Sequence, residues 1–263
     1  MTGLIDIHTH IIPGIDDGAP TEDVTEEMLN RYSRAGFAAI IATPHVPLSP
    51  DQDYRSSISD GLQAVVKMGE SREIEVFSGN EIRLTPEIGR GIHALPAFGL
   101  AGTRYALVDF PSGTWPHYAE DSLFSVQMLG FTPILAHPER YGWGVNHRST
   151  ARDLVNRGVL LQVTLGSLVG AFGPSAKSVA RELVKSGLVH FTATDAHNAG
   201  GRLTAGIEGL TWFQRAYGER AQDTTLRVNP TAMLNDEAVE PFKPESVVKF
   251  WPGIDLRRIL SRS

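Results

Sequence analysis

The chain has 263 residues, of which 41% are hydrophobic and 21% charged, enough apolar content for a packed core and too little charge for disorder. Its formal net charge of −6, without a basic stripe, disfavours a nucleic-acid partner, and the absence of cysteine excludes disulfides, thiolate metal sites and a cysteine nucleophile. No run approaches the ~18 apolar residues of a membrane span, and the start MTGLIDIHTH lacks the regions of a signal peptide, so a soluble, cytoplasmic protein is expected.

Runs rich in Ile, Val, Leu and Phe predict seven strands: Leu4 to His8, Ala38 to Thr43, Glu73 to Ser78, Arg104 to Phe110, Thr132 to His137, Leu160 to Thr164 and Leu188 to Thr194. Helical patterns lie between them. Thr21 opens one with an acidic first turn and Met28, Leu29 and Tyr32 on one side, closing near Gly36. Ser149 opens another that runs through Leu154 to Gly158, and Ser175 a third, with Val179, Leu183 and Val184 facing inward before Gly187. This alternation predicts an α/β fold with a parallel sheet covered on both faces, and seven units point to a barrel. No linker rich in Pro, Gly or Ser divides the chain, so a single domain over 1–263 is expected.

In such barrels the reacting groups sit at the C-terminal ends of the strands. Strand one ends in His8 and His10, strand two leads to His45, and strand three to Glu81. Strand four carries Asp109, strand five finishes at His137, and strand seven at Asp195 and His197. Only strand six, with Gln162 and Thr164, offers no evident ligand. In Asp6-Ile7-His8-Thr9-His10 both imidazoles fall on one side of an extended segment and can grip one metal ion. A lone pair of this kind is as readily structural, but Asp195-Ala196-His197 supplies a second. Imidazole and carboxylate ligands without sulfur suit Mn, Fe, Zn or Co. Nine candidates (His8, His10, Asp17, His45, Glu81, Asp109, His137, Asp195 and His197) exceed the needs of one ion, so two or three ions sharing carboxylates are expected, with Glu81 and Asp109 as plausible bridges. Such ions activate water and offset charge on an attacked phosphate or carbonyl. Arg140 and Arg202 follow two of the metal motifs, and a guanidinium makes paired hydrogen bonds to phosphate oxygens, so hydrolysis of a phosphate ester is the inferred reaction.

The strings Asp6-Ile7-His8-Thr9-His10, Asp16-Asp17-Gly18, Thr43-Pro44-His45, Gly79-Asn80-Glu81, His137-Pro138-Glu139-Arg140-Tyr141 and Thr194-Asp195-Ala196-His197-Asn198 together resemble the PHP (polymerase and histidinol phosphatase) superfamily. Within it, the DDG, HPERY and DAHN strings are most similar to the bacterial capsular and exopolysaccharide protein-tyrosine phosphatases. The resemblance implies a distorted (β/α)7 TIM-like barrel with a core of about 4–235 and an extension over 236–263. It also implies a cluster of two or three divalent ions, usually Mn2+, and hydrolysis of phosphotyrosine on a protein partner, a membrane-associated tyrosine autokinase. Residue by residue, it carries the ligand role to His8, His10, Asp17, His45, Glu81, His137, Asp195 and His197, and phosphate binding to Arg140 and Arg202. The loop ligand stays open between Asp16 and Asp17, with the family pattern favouring Asp17. Asp109-Phe110-Pro111 departs from the family, which more often has Glu there; the shorter carboxylate either bridges differently or holds one ion. The expected reaction is in-line attack on phosphorus by a bound hydroxide, with Arg140, Arg202, His45 and His197 as the catalytic set.

Trp115, Tyr141 and Trp143 fall in loops near the rim and are candidates to stack on a phosphotyrosine ring, though loop aromatics more often pack on their own scaffold. His117 and His147, in the same mouth loops, are candidates for substrate contact on the same footing, while His93 and His190 read as structural. The basic and aromatic stretch from Pro241 reads as a terminal segment closing the barrel base, in preference to a membrane- or kinase-docking helix. The rival functions are a PHP phosphatase for a small alkyl phosphate such as histidinol phosphate, a nuclease, an amidohydrolase, and a metal-stabilised binding module without catalysis.

Overall fold

The computed structural model describes residues 3–45, 52–86, 99–111, 113–143 and 146–244. The strands are β1 (Leu4–Thr9), β2 (Phe37–Ala42), β3 (Glu75–Ser78), β4 (Glu81–Arg83), β5 (Tyr105–Asp109), β6 (Thr132–Ala136), β7 (Leu160–Thr164) and β8 (Phe191–Ala193). The first three form one sheet in chain order and the other five a second, and every neighbouring pair is parallel. Helices α1 (Glu22–Arg34), α2 (Gln52–Glu70), α3 (Ala119–Met128) and α4 (His147–Asn156) follow β1, β2, β5 and β6. α5 (Leu165–Val169) and α6 (Gly173–Lys185) follow β7, and α7 (Gly201–Tyr217), α8 (Glu219–Asp223) and α9 (Asn229–Leu234) follow β8.

The segment read as one strand leading into Glu81 is two strands. Gly79 and Asn80 break it, so that β3 pairs with β2 while β4 leaves to pair with β5. A Cβ on Gly79 would stand 2.7 Å from the Leu100 side chain and 2.8 Å from that of Ile41, so the crossing passes where only glycine fits. Counted as one interrupted stave, β3 and β4 preserve the seven-unit alternation. The two sheets meet at both seams. Asp195 N donates to His8 O at 3.0 Å and His10 N to Ala196 O at 2.9 Å, while Glu81 N donates to Pro44 O at 3.1 Å. The parallel bridges there are Thr9 to Ala196 and His45 to Glu81, an arrangement consistent with a distorted barrel. All strand C-termini therefore face one rim.

Strand side chains alternate between two apolar clusters, with Ala106 and Val108 in one and Tyr105 and Leu107 in the other. Helix faces complete the first cluster. Thr21 caps α1 through its hydroxyl, which accepts from Val24 N at 3.4 Å, and Glu22 and Asp23 favour the positive end of the helix dipole. Met28, Leu29 and Tyr32 are fully buried as the spacing predicted, each burial being worth ~1.5–3 kcal/mol. The two later helices start two residues before their predicted hydroxyl caps, α4 at His147 and α6 at Gly173, and neither start has a side-chain cap. The described part of the extension packs on the base: Phe242 N donates to Val189 O at 2.8 Å, and the ring meets Phe213 and Tyr217. His93 and most of the basic stretch, 245–263, lie outside the described residues. Among the described residues, no helix is long and apolar enough to cross a membrane.

Candidate metal centre

Local structure aims the rim residues before any ligand is considered. His8 Nδ1 donates to Gln162 Oε1 at 2.9 Å and His10 Nδ1 to Asp16 Oδ2 at 2.7 Å. With their protons held outward, the two imidazoles turn Nε2 lone pairs towards each other, 3.2 Å apart. Asp16 also accepts from Gly18 N at 2.9 Å and from His45 N at 2.8 Å, which ties the Asp16-Asp17-Gly18 loop to both histidine segments. Gly18 is obligatory there, since a Cβ would lie 2.2 Å from His10 O. Below the rim, buried Asp6 accepts from the Tyr32 hydroxyl at 2.9 Å, the Thr194 hydroxyl at 2.5 Å and His8 N at 3.2 Å, joining β1, α1 and the end of β8. His137 and Asp195 follow β6 and β8 with φ of 36° and 51°, left-handed backbone that few non-glycine residues adopt and that His and Asp tolerate better than most.

The rim brings all nine predicted ligand candidates together as three overlapping groups. His10, Asp17, His45 and His197 form one, His8, His10, Glu81 and Asp195 a second, and Glu81, Asp109 and His137 a third. In each, the donor atoms lie within 4.8 Å of one another. Glu81 Oε2 stands 3.2 Å from Nε2 of both His8 and His10, and Asp195 Oδ1 stands 3.4 and 3.5 Å from the same two atoms. Asp17 is the exposed member, 3.3 Å from His197 Nε2, whereas Asp16 is occupied in orienting His10. Asp109 Oδ1, His45 Nδ1 and His137 Nδ1 are buried without a hydrogen-bond partner. Converging lone pairs, shared carboxylates and orphaned donor atoms fit divalent cations.

Protons respond to the same crowding. Burial opposes a charge on His10, yet the bond to Asp16 and the charges of Glu81 and Asp195 outweigh it and raise the imidazole to about 10, so that without a cation a proton takes the Nε2 position a metal ion would displace. Burial, with the Arg140 charge adding to it, pushes His137 down to about 4. His197 falls to about 4 through burial and the neighbouring His10 charge. Burial together with Glu81 lifts the Asp109 carboxyl to about 7, against the opposing pull of Arg83.

A cavity of about 240 Å³ opens over the donors, walled by Arg83, Phe110, Arg140, Tyr141 and Arg202. That is small beside the ~300–1,000 Å³ of pockets that enclose a whole ligand, so it suits the end of a side chain. Both predicted arginines converge on Asp195. Arg140 Nη2 lies 2.5 Å from Asp195 Oδ2 and 3.0 Å from Thr164 Oγ1, and Arg202 Nη1 lies 3.3 Å from both carboxylate oxygens. The Phe172 ring backs both guanidiniums, 3.6 Å from that of Arg140 and 5.6 Å from that of Arg202.

Several placements differ from the sequence reading. Trp143 does not reach the cavity wall: it stacks behind Tyr141 at an interplanar angle of 13°, beside Trp115, because the apolar loop side chains pack on their own scaffold. Tyr141 does line the cavity, and its hydroxyl accepts from Phe110 N at 3.1 Å. His117 is exposed, and His147 pairs with Glu182 at 2.8 Å. Strand six of the sequence reading, now β7, offers no ligand but orients two functional groups, His8 through Gln162 and Arg140 through Thr164. Arg83 and Phe172 were missed altogether. Arg83 had one available signal, since it stands two residues after Glu81 and shares its face of an extended segment. Phe172 had none.

Comparison with known proteins agrees with this arrangement. The family model for capsular polysaccharide synthesis, CpsB/CapC, matches residues 4–235. The tyrosine-protein phosphatase YwqE of Bacillus subtilis is 32% identical over 246 residues, covering 93% of this chain and 96% of YwqE. The tyrosine-protein phosphatase CpsB of Streptococcus pneumoniae is 26% identical over 243 residues, 90% of this chain and all (100%) of CpsB. A crystal structure from the study of YwqE and CpsB as metal-dependent tyrosine phosphatases aligns with a TM-score of 0.79 at 32% identity, covering 92% of this chain and 99% of that one. The chain belongs to the CpsB/CapC family of capsular polysaccharide synthesis.

Proposed function

We propose that this protein is a metal-dependent, cysteine-independent phosphatase that hydrolyses phosphotyrosine on proteins. The observation that carries the reading is the convergence of nine imidazole and carboxylate donors beneath a cavity flanked by Arg140 and Arg202. Asp17, His45 and His197 would hold one ion, His8, Glu81 and Asp195 a second, and Glu81, Asp109 and His137 a third, with the single free nitrogen of His10 completing one of the first two. Manganese is the proposed metal, with Fe, Zn or Co able to use the same donors. When bound, the ions supply a water nucleophile at neutral pH and positive charge against the phosphoryl oxygens.

The chain's own groups account for the rest. Arg140 and Arg202 bind the phosphoryl oxygens, and Phe172 holds both guanidiniums in place behind them. Tyr141 and Phe110 offer apolar wall to the substrate ring. His45, half-buried at the mouth, and His197 line the same cavity as ligands of the first ion. A phenol of pKa ~10 leaves without much help, so the reaction does not depend on a dedicated proton donor. The proposed substrate is a membrane-associated tyrosine autokinase of capsule or exopolysaccharide synthesis, met on the cytoplasmic side; the family's link to capsular polysaccharide supports this partner.

The test is phosphate release by chelator-stripped protein with and without Mn2+, comparing a phosphotyrosine peptide with histidinol phosphate and using His8→Ala as control. Manganese-restored release from the peptide, lost in the variant, is the expected result. Preference for histidinol phosphate would move the protein to a small-substrate phosphatase. Inactivity on both substrates with every divalent metal would favour the non-catalytic binding module.

A further inference from the structure

We propose that Arg83 confines Asp109 to a single metal bond, made through Oδ1, so that the ion held by Glu81, Asp109 and His137 is the weakest bound of the centre. The inference rests on the metal-centre reading above and deepens it. Strand register sets up the contact. Arg83 and Asp109 are direct partners in the β4–β5 ladder, and Leu84 N donates to Asp109 O at 2.8 Å, which pins the backbone beside them. Glu81 and Arg83 are two residues apart on one strand, so both side chains project to the same side, towards the cavity they line.

From there the guanidinium takes Asp109 Oδ2 with two nitrogens, Nε at 3.2 Å and Nη2 at 3.0 Å. Oδ1 is left buried with no hydrogen-bond partner. A carboxylate with both oxygens free can chelate one ion or span two. Here one oxygen already serves an arginine, and the short aspartate stem cannot carry the carboxylate past it while β5 holds the backbone. Two effects then act in the same direction. Arg83 withholds a donor atom, and its positive charge stands beside the place where a third cation would sit. This group also shares Glu81 with the His8 group, so that only Asp109 and His137 are its own. Asp195 is gripped by arginines as well, but its group contains three further donors to hold an ion.

The experiment is metal binding, read without any substrate. Chelator-stripped wild type, Arg83→Gln and Asp109→Glu are titrated with Mn2+ under buffered free metal, and bound metal per chain is measured by elemental analysis. Wild type is expected to bind one ion markedly more weakly than the rest. Arg83→Gln frees Oδ2 and removes a positive charge beside the ion, so it should tighten that ion by about tenfold and leave the tighter ions unchanged. Asp109→Glu, which lengthens the stem, should tighten the same ion and guards against a folding defect peculiar to the arginine variant. Unchanged or weaker binding of the last ion in both variants would overturn the proposal while leaving the metal centre standing. Failure of wild type to bind any divalent ion would overturn both.

Discussion

His190 makes acid stability a quantitative test of how the barrel base is packed. The imidazole is 2% exposed, its Nδ1 accepts from Leu161 N at 3.1 Å, and burial lowers its pKa from 6.5 to about 4 against a modest opposing bond to the Leu188 backbone. Above pH 6.5 the ring is neutral in both folded and unfolded chains and imposes no pH dependence. As pH falls below that value the unfolded chain takes up a proton that the folded chain refuses, so stability is lost down to about pH 4. A gap of this size at 1.36 kcal/mol per pKa unit corresponds to a loss of about 3 kcal/mol between neutrality and pH 4. Urea unfolding of wild type and His190→Asn, both kept in chelator so that metal release does not contribute, isolates this effect. Asparagine preserves an acceptor near Leu161 N and does not titrate. The stability difference between the two proteins should therefore shift by about 3 kcal/mol in favour of the variant from pH 7 to pH 4. Parallel pH curves would show that the ring is hydrated or free to protonate in the folded state, and would refute the reasoning.

Two further outcomes follow from contacts that surround the site. Gln162→Leu removes the acceptor that sets the His8 tautomer, and should weaken metal binding by about 10–100-fold in a chelator competition while the melting temperature of the stripped protein changes little. Phe172→Ala removes the ring behind Arg140 and Arg202; at ~0.5–2 kcal/mol for a cation–π contact, it should weaken inhibition by inorganic phosphate several-fold or more and raise KM more than it lowers kcat, with Phe172→Trp restoring both.

Much of this protein was legible because its information is local. Asp6 to His10 alternates as any extended segment must, so two imidazoles had to share a side, and the run of Ile, Val and Leu segments separated by helical patterns points to a parallel α/β fold. Since such strands present their C-termini to one rim, residue type and strand position alone gather the nine candidate ligands. The absence of cysteine narrowed their chemistry to nitrogen and oxygen.

What tertiary structure decided are relations between distant residues. The exchange of β3 for β4 depends on how closely Leu100 and Ile41 approach Gly79, and no local pattern carries that distance. Asp16 and Asp17 are adjacent and chemically identical, yet one orients His10 while the other stands exposed beside His197, because the turn at Gly18 points them differently. Gln162 serves His8 across 154 residues, and Phe172 meets two arginines from separate elements, Arg140 in the turn after β6 and Arg202 in the first turn of α7. Whether Asp109 has one oxygen or two to offer rests on the strand register that lays Arg83 against it. Residue type and spacing determine which atoms can bind a metal; the pairing of strands around the rim determines which of those atoms are left available to do so.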